Sequence, residues 1–291
     1  MKQVLKNILC ILLSIILLFI LTGCKDKEEN GSLEEKIKSE IEYLDSKIVG
    51  MLNKLNNISY QNYKITTEKI ELNESSGQEG EQSSSTQKGT ESNTSSGGET
   101  SQNKTINQSE MDHSSILGDN TQNINWTEIK SDIELLHDTW STIIIDLTQR
   151  GINNKYMEEF SKLLDNTTVD IKEENKKESL IGLTDMYSYL TKFLENEGDN
   201  IQKNIKNVKM HIIKAYSLVE SENWEQMGTE VNEAIRYYNN IINQTNYAKE
   251  NSFKVEKTSI SLKELQNSLT VKDKNVFYIK YRNLMEQLSS F

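Results

Sequence analysis

The fold of this chain is decided by residues 32–58, SLEEKIKSEIEYLDSKIVGMLNKLNNI, which carry a sustained heptad pattern. Their apolar residues recur at alternating steps of four and three, at Ile37, Ile41, Leu44, Ile48, Met51, Leu55 and Ile58. This spacing places all of these side chains on one face of a helix. Because so large an apolar face is unstable in water, the helix must pack against a partner.

The start of this helix is indicated by a capping box. Ser32 and Glu35 stand three residues apart, so that each side chain can bond a free backbone N–H of the other residue. We therefore expect residues 24–31 to be a short linker and the first amphipathic helix with its extension to cover residues 32–72. Residues 60–72 fit either a continued helix or short extended pieces.

A change of composition follows the first helix. Residues 73–124 consist largely of Ser, Thr, Gly, Asn, Gln and Glu, with eight acidic residues against two lysines. Such a segment has too few apolar side chains to form a core, which predicts a disordered tether. The first helix must then fold back onto the later helices, which is the arrangement we expect, or form a parallel dimer through its heptad stripe.

Helical patterns return in residues 125–291 and continue to the end of the sequence. The first of these helices begins with a capping box at Asn125 and Glu128 and ends at Gly151. Two more are predicted at about 153–165 and about 168–197, followed by a helical hairpin over 199–245. Another helix follows a capping box at Ser261 and Glu264, and a final one begins at Asp273. We predict an all-α fold, an antiparallel multi-helix bundle with a long disordered insertion after the first helix.

The net charge of the chain disfavours two classes of binding partner. It has 33 Lys and Arg against 44 Asp and Glu, a formal net charge of -11. An acidic body is repelled by nucleic acid and by anionic membrane surfaces, so neither is expected to be bound through charge. The sequence contains no proline, which permits long unbroken helices.

The first residues form a secretory signal. Lys2 and Lys6 precede an uncharged run from residue 8 to 21, and Leu21-Thr22-Gly23-Cys24 follows. The run is shorter than the roughly 20 apolar residues of a membrane-spanning helix. Leu, two small residues and Cys resemble the lipobox of bacterial lipoprotein precursors. The resemblance implies that residues 1–23 are a removed signal peptide and that Cys24 carries a diacylglyceryl anchor with palmitate-type acyl chains.

This resemblance has consequences for the mature chain. Cys10 would be removed and Cys24 consumed, which leaves no thiol for disulfides or catalysis. Loss of Lys2 and Lys6 takes the side-chain charge from -11 to -13. The residue usage is typical of an AT-rich bacterial genome, and we therefore expect the protein at the outer face of the bacterial cytoplasmic membrane, attached through its lipid.

Few residues point to chemistry. Glu134 and His137 have the Glu-x-x-His spacing of di-iron bundles, but no acid precedes His211 at that spacing, and His137 is expected to pack at the edge of the core. No serine nucleophile motif or phosphate-binding loop is present. We therefore expect no catalytic residues, metal or cofactor, and hence not an enzyme.

Two tyrosines are the candidate contact residues. Tyr237 adjoins Tyr238 and Tyr278 adjoins Phe277. Neighbours on a helix cannot both face inward, so Tyr237 and Tyr278 are predicted to be exposed and to contact a partner. The expected function is a non-enzymatic binding or interaction module at the cell envelope, monomeric or dimeric, whose partner is an envelope protein or a wall component. The alternative is a solute-binding or metal-binding lipoprotein serving a transporter, with Glu134, His137 and His211 as conceivable ligands.

Overall fold

A computed structural model describes residues 25–58, 116–117, 124–195 and 200–291, and every regular element in these ranges is a helix. The fold is an all-α, antiparallel multi-helix bundle, as predicted. The helices are α1 Lys25–Lys54, α2 Trp126–Gln149, α3 Asn154–Lys172, α4 Lys176–Phe193, α5 Asn200–Ser217, α6 Trp224–Ile242, α7 Thr245–Glu250, α8 Ser252–Val271 and α9 Lys274–Leu288.

Helix α1 lies at the centre of the bundle. The heptad stripe runs along α1 and ends at Leu55 and Ile58, just after it, and all seven of its residues are buried, each at most 4% exposed. The stripe packs against α2 and α4, and the C-terminal half of α1 also contacts α5 and α9. The expected packing of the first helix against the later helices of the same chain is therefore confirmed.

The ends of α1 differ in how well they were predicted. The helix begins at Lys25, so the expected linker at 24–31 and the expected start at Ser32 are wrong. Its C-terminal end is formed by Asn57 in a left-handed conformation with φ 51°, and the N–H of Ile58 donates to the carbonyl of Asn53 at 2.9 Å. This is a Schellman-type end, in which the buried Ile58 closes the last turn against the core. Residues 60–72 lie outside the described residues.

The helices from α2 to α5 form successive antiparallel hairpins. Trp140 of α2 donates from Nε1 to the Ser161 hydroxyl of α3 at 2.8 Å, near the middle of both helices. The rings of Trp140 and Phe160 have centroids 4.3 Å apart, and Phe193 of α4 completes this aromatic cluster. Close approach of α3 and α4 requires Gly182, because a Cβ there would lie 2.3 Å from the Thr167 hydroxyl.

The second half of the bundle follows the same scheme. Helix α6 packs antiparallel on α5, α8 packs on α6, and α9 returns along α8 to reach α5. The rings of Tyr216 on α5 and Tyr281 on α9 stack at 4.4 Å, and both hydroxyls bond to α1, Tyr216 to the carbonyl of Leu52 and Tyr281 to the side chain of Asn53. These bonds join the second half of the bundle to the central helix.

Several predicted helix signals are confirmed. Asn125 accepts from the N–H of Glu128 at 3.2 Å, and Gly151 adopts φ 79° just after α2. Asp273 accepts from the N–H of Val276 at 2.9 Å and caps α9. These short polar side chains satisfy N–H groups that the helix itself cannot bond.

Other predicted boundaries are wrong. Helix α3 continues through residue 165 to Lys172. The chain turns only at Glu174, which has φ 58°, and Asn175 then caps the start of α4 by accepting from the N–H of Glu178. Helix α8 runs through Ser261 from Ser252, so the expected capping box there lies inside a helix. A capping sequence does not mark the start of a helix where tertiary packing extends the helix on its N-terminal side.

Most of the predicted tether, residues 73–124, lies outside the described residues, and so does the predicted end, near residue 197, of the helix expected from about residue 168. The described part of the tether includes residues 116–117, which form a turn. Ile116 is half-buried and packs against the hydrophobic core, whereas Leu117 is 73% exposed. The end of this segment therefore contacts the bundle at Ile116.

Candidate functional site

A groove of about 610 Å³ lies on the outer face of the bundle between α3, α4 and α5. It is lined by Glu159, Lys162, Leu163, Asn166, Asp185, Ser188, Tyr189, Thr191, Lys192, Met210 and Lys214. The helices that form it are held together by the buried aromatic cluster and by the close approach at Gly182. The groove is thus a concave surface on rigid elements, which is typical of a binding site.

One wall of the groove is ordered by a tyrosine. The hydroxyl of Tyr189 donates to Glu159 Oε2 at 2.6 Å. This bond holds the pKa of Glu159 below its usual range, and it raises the pKa of Tyr189 to about 12. The ammonium group of Lys192 lies 4.0 Å from the centroid of the Tyr189 ring and 5.1 Å from that of Tyr156. Two cation–π contacts therefore fix Lys192 at the groove.

Three lysines give the groove its character. Lys162 is exposed on α3, while Lys192 on α4 and Lys214 on α5 are half-buried. Within the part of the chain that the structure describes, none of the three ammonium groups forms a salt bridge with a carboxylate. The three lysines and the two lining carboxylates, Glu159 and Asp185, give the groove a net charge of +1 (three minus two), although the chain is acidic overall.

A buried ionic cluster joins α1 to α5. Asp45 is 3% exposed and accepts hydrogen bonds from Lys206 and, at 2.9 Å, from Lys209. Lys206 is 1% exposed and also lies 3.1 Å from Glu42 Oε2. Because Asp45 meets residue 206 while Leu52 meets residue 216, α1 and α5 run parallel.

The cluster shifts the pKa values of Asp45, Lys206 and Lys209. Burial raises the pKa of Asp45, but the ammonium groups of Lys206 and Lys209 outweigh that effect and hold it below its ordinary value. Burial lowers the pKa of Lys206, yet Asp45 and Glu42 together raise it overall. For Lys209 burial prevails over Asp45, and its pKa is lowered. Of the two lysines, Lys209 therefore releases its proton more readily.

A second polar contact links α1 to α2. Lys36 Nζ lies 2.7 Å from Asp146 Oδ2, and Glu40, one turn further along α1, packs beside the same carboxylate. Burial, followed by the hydrogen bond to Asp146 and the charge of Asp146, raises the pKa of Glu40 to about 7. A substantial fraction of Glu40 is therefore protonated near neutral pH, whereas the Lys36 ammonium group keeps the pKa of Asp146 below its ordinary value.

The histidines do not form a common site. His137 is half-buried beside the core and lies with Nε2 2.8 Å from the Thr168 hydroxyl, which itself donates to the carbonyl of Leu164. The imidazole Nε2–H therefore donates to Thr168, and this edge position agrees with the prediction. His211 lies on α5, with Nδ1 2.7 Å from Glu230 Oε2 of α6.

The conceivable metal ligands are not brought together. Glu134 is exposed, and His137 and His211 bond to partners on different helix pairs. Among residues 25–58, 116–117, 124–195 and 200–291, no group of three or more His, Cys, Asp or Glu residues is arranged to hold a metal ion. The His-based ligand set considered from the sequence therefore has no common centre.

The two predicted contact tyrosines differ. Tyr278 is 8% exposed, donates to Glu220 at 3.1 Å and packs edge-on against Tyr216, so its predicted exposure is wrong. It lies inward together with Phe277 because α9 is covered on two sides, by α8 and α5. Tyr237 is half-buried and stacks on the imidazole of His211 at 5.4 Å, with Arg236 4.1 Å from its ring centroid. Its role as a partner contact stays a prediction.

Sequence reasoning missed both the groove and the ionic clusters. The groove lysines come from three helices, and their spacing along the chain carries no motif. For the buried cluster a signal was present: Lys206 and Lys209 stand three residues apart and therefore share a helix face, next to the apolar stripe that includes Ile205 and Val208. Asp45 likewise adjoins Leu44 of the heptad stripe.

Comparison with protein families, with curated proteins and with solved structures finds no match to this chain. Within the described ranges no helix is both long enough and apolar enough to cross a membrane. The class that fold and groove define is a helical bundle with a surface groove rich in lysine.

Proposed function

We propose that the protein is a lipid-anchored module of the bacterial cell envelope that binds a partner without catalysing a reaction. The proposal combines a signal segment that ends at Cys24 with a helical bundle that carries an open groove. The lipid holds the bundle at the outer face of the cytoplasmic membrane, and the groove supplies the contact surface.

The groove is the observation that carries the binding role. Lys162 and Asn166 are exposed at its margin, while Leu163 and Tyr189 are half-buried and Met210 is buried. A ligand in this groove would remain open to solvent on one side. This shape suits a segment of a larger envelope component that continues beyond the groove, such as an envelope protein or a wall component.

The anchor is tested by replacing its cysteine. Cys24→Ala should move the protein from the membrane fraction to the soluble fraction without changing its thermal unfolding, because residue 24 precedes α1. Cys10→Ala is the matched control and should leave the protein on the membrane, because residue 10 belongs to the removed signal. Retention of the Cys24→Ala protein would contradict the anchor.

The binding role is tested in the intact envelope. Cross-linking of the native lipidated protein, followed by isolation under denaturing conditions, should capture a specific envelope component. Capture should decrease when Lys192 and Lys214 are changed to Gln, since both line the groove. Capture unaffected by these changes would mean that the groove is not the contact surface.

A solute-binding role serving a transporter is the second candidate, and the size of the groove favours it. A volume of about 610 Å³ falls within the range of small-molecule sites. Equilibrium dialysis of the purified protein against envelope extracts separates the two roles. Tight retention of a small solute with no captured macromolecule would favour the second role over the first.

A further inference from the structure

We propose that the groove between α3, α4 and α5 binds a phosphate-bearing, hydroxyl-rich ligand, namely a polyol or sugar phosphate. The inference rests on the proposed binding function and names the chemistry of its ligand. It is carried by the placement of three ammonium groups, none within salt-bridge distance of a carboxylate of the described residues, and two carboxylates in one concave surface.

The lysines supply the attraction for phosphate. Lys162, Lys192 and Lys214 come from three different helices and converge on the same groove without carboxylate partners at salt-bridge distance in the described ranges. An ammonium group binds phosphate as a point charge and requires no fixed orientation. Lys192 is already held in place by the rings of Tyr189 and Tyr156, so a ligand need not order it.

The carboxylates distinguish the ligand from a bare polyanion. Glu159 and Asp185 line the same groove, and Glu159 already accepts from the Tyr189 hydroxyl at 2.6 Å. Carboxylates repel an anion but accept hydrogen bonds from hydroxyl groups. A ligand that carries both phosphate and hydroxyl groups satisfies the ammonium groups and the carboxylates together.

The remaining polar side chains support this assignment. The hydroxyl of Thr191 donates to the carbonyl of Ser188 at 2.9 Å, and that of Ser188 donates to the carbonyl of Thr184 at 3.3 Å. Both hydroxyl oxygens thus keep free acceptor capacity for ligand hydroxyls. The amide of Asn166 is exposed at the margin and can both donate and accept. The apolar floor of Leu163 and Met210 fits the carbon backbone of a polyol.

The test is calorimetric titration of the mature protein with four probes: poly(glycerol phosphate), glycerol 3-phosphate, inorganic polyphosphate and dextran. The polymer of glycerol phosphate should bind, more weakly as salt is added, and dextran should not. If poly(glycerol phosphate) binds more tightly than glycerol 3-phosphate, the natural ligand is a wall-type polymer. If the two bind equally, the natural ligand is a free solute. Both results support a polyol phosphate as the ligand. Polyphosphate binding as tightly as the polyol phosphate would overturn it, as would no binding of either glycerol probe.

Variants locate the site. Changing Lys162, Lys192 and Lys214 together to Gln should weaken binding of poly(glycerol phosphate) by about tenfold or more. The matched control changes Lys249, Lys257 and Lys263, which are exposed on α7 and α8, and should leave the affinity nearly unchanged although it removes the same charge. Equal weakening by both triple variants would overturn the site. If the probes fail while cross-linking still captures an envelope protein, the proposed function stands and this ligand assignment is wrong.

Discussion

Asp45→Asn is the change that tests the buried ionic cluster most directly. The substitution keeps the size of the side chain and removes only its negative charge. Asp45 is 3% exposed and bonded to two lysines that are themselves nearly inaccessible. In the variant Lys206 keeps Glu42 at 3.1 Å, whereas Lys209 loses the only carboxylate that it contacts within the described residues.

The magnitude follows from the fate of Lys209. Removing one partner of a buried ion pair costs about 3–5 kcal/mol of folding stability. Release of the proton of Lys209 sets an upper limit to this loss of stability, because a neutral lysine no longer needs a carboxylate partner. From an ordinary pKa of 10.5, this release costs about 5 kcal/mol at pH 7 and about 2 kcal/mol at pH 9. The loss should therefore be about 3–5 kcal/mol at pH 7 and become smaller as the pH rises, because the lowered pKa of a buried lysine favours the folded state when lysine becomes neutral.

The assay is urea unfolding of the purified protein at pH 7 and at pH 9, monitored by circular dichroism. Asp138→Asn is the control, because Asp138 is exposed on α2 and its substitution removes the same charge. The control should change stability by less than about 0.5 kcal/mol at either pH.

Two results would show that the charge of Asp45 does not stabilise the fold in this way. A loss below about 1 kcal/mol at pH 7 would mean that the lysines find water or another partner at little cost. A large loss that stays the same at pH 9 would mean that the aspartate acts through its shape or its hydrogen bonds and not through its charge. Replacing Asp45 by Leu together with Lys206 and Lys209 by Met should restore most of the stability, because no buried charge then lacks a partner.

Three further changes test other contacts of the bundle by the same unfolding assay. Glu40→Gln should stabilise the protein by about 1–2 kcal/mol above pH 7, after allowance for solvent screening, because a pKa raised to about 7 makes the wild type lose stability as the pH rises from about 4.5 through 7. Glu35→Gln, which removes the same charge from an exposed position of α1, is the matched control. Gly182→Ala should cost about 1–3 kcal/mol, since the new Cβ would meet three atoms of the facing threonine at 2.3–3.2 Å. In contrast, Gly50→Ala has open space and should gain about 0.5–1 kcal/mol; a loss at Gly50 or a gain at Gly182 would contradict the packing. Ile48→Asp should cost several kcal/mol, about 3–5, by placing an unpaired charge at a fully buried position, and an unfolding midpoint close to that of the wild type would show that the stripe is not buried in solution.

Local sequence signals predict the structure correctly where a single short-range interaction decides it. The caps at Asn125 and Asp273 and the turn at Gly151 each depend on a side chain or a backbone conformation within three residues. Ser261 shows the limit of this reasoning. It has the same capping pattern, but α8 passes through it, because burial of Val255 and Thr258 continues the helix on its N-terminal side.

The candidate site was less accessible from the sequence. Lys162, Lys192 and Lys214 are separated by 30 and 22 positions (192 minus 162, 214 minus 192), and only the packing of α3, α4 and α5 brings them together. The burial of Tyr278 likewise depends on helix packing. Neighbours on a helix can both be buried when the helix has partners on two sides, and α9 contacts both α8 and α5.

The period of the apolar residues is sufficient to predict that this protein is helical and that the stripe from Ile37 to Ile58 is buried. The helices that cover this stripe, the parallel orientation of α1 and α5, and the contacts of Asp45 with Lys206 and Lys209 are established only when the helices pack. Hydrophobic burial is proportional to area and indifferent to the identity of the partner, so an apolar pattern does not select what covers it. The choice among partners depends on shape and on paired charges, which are properties of the assembled helices.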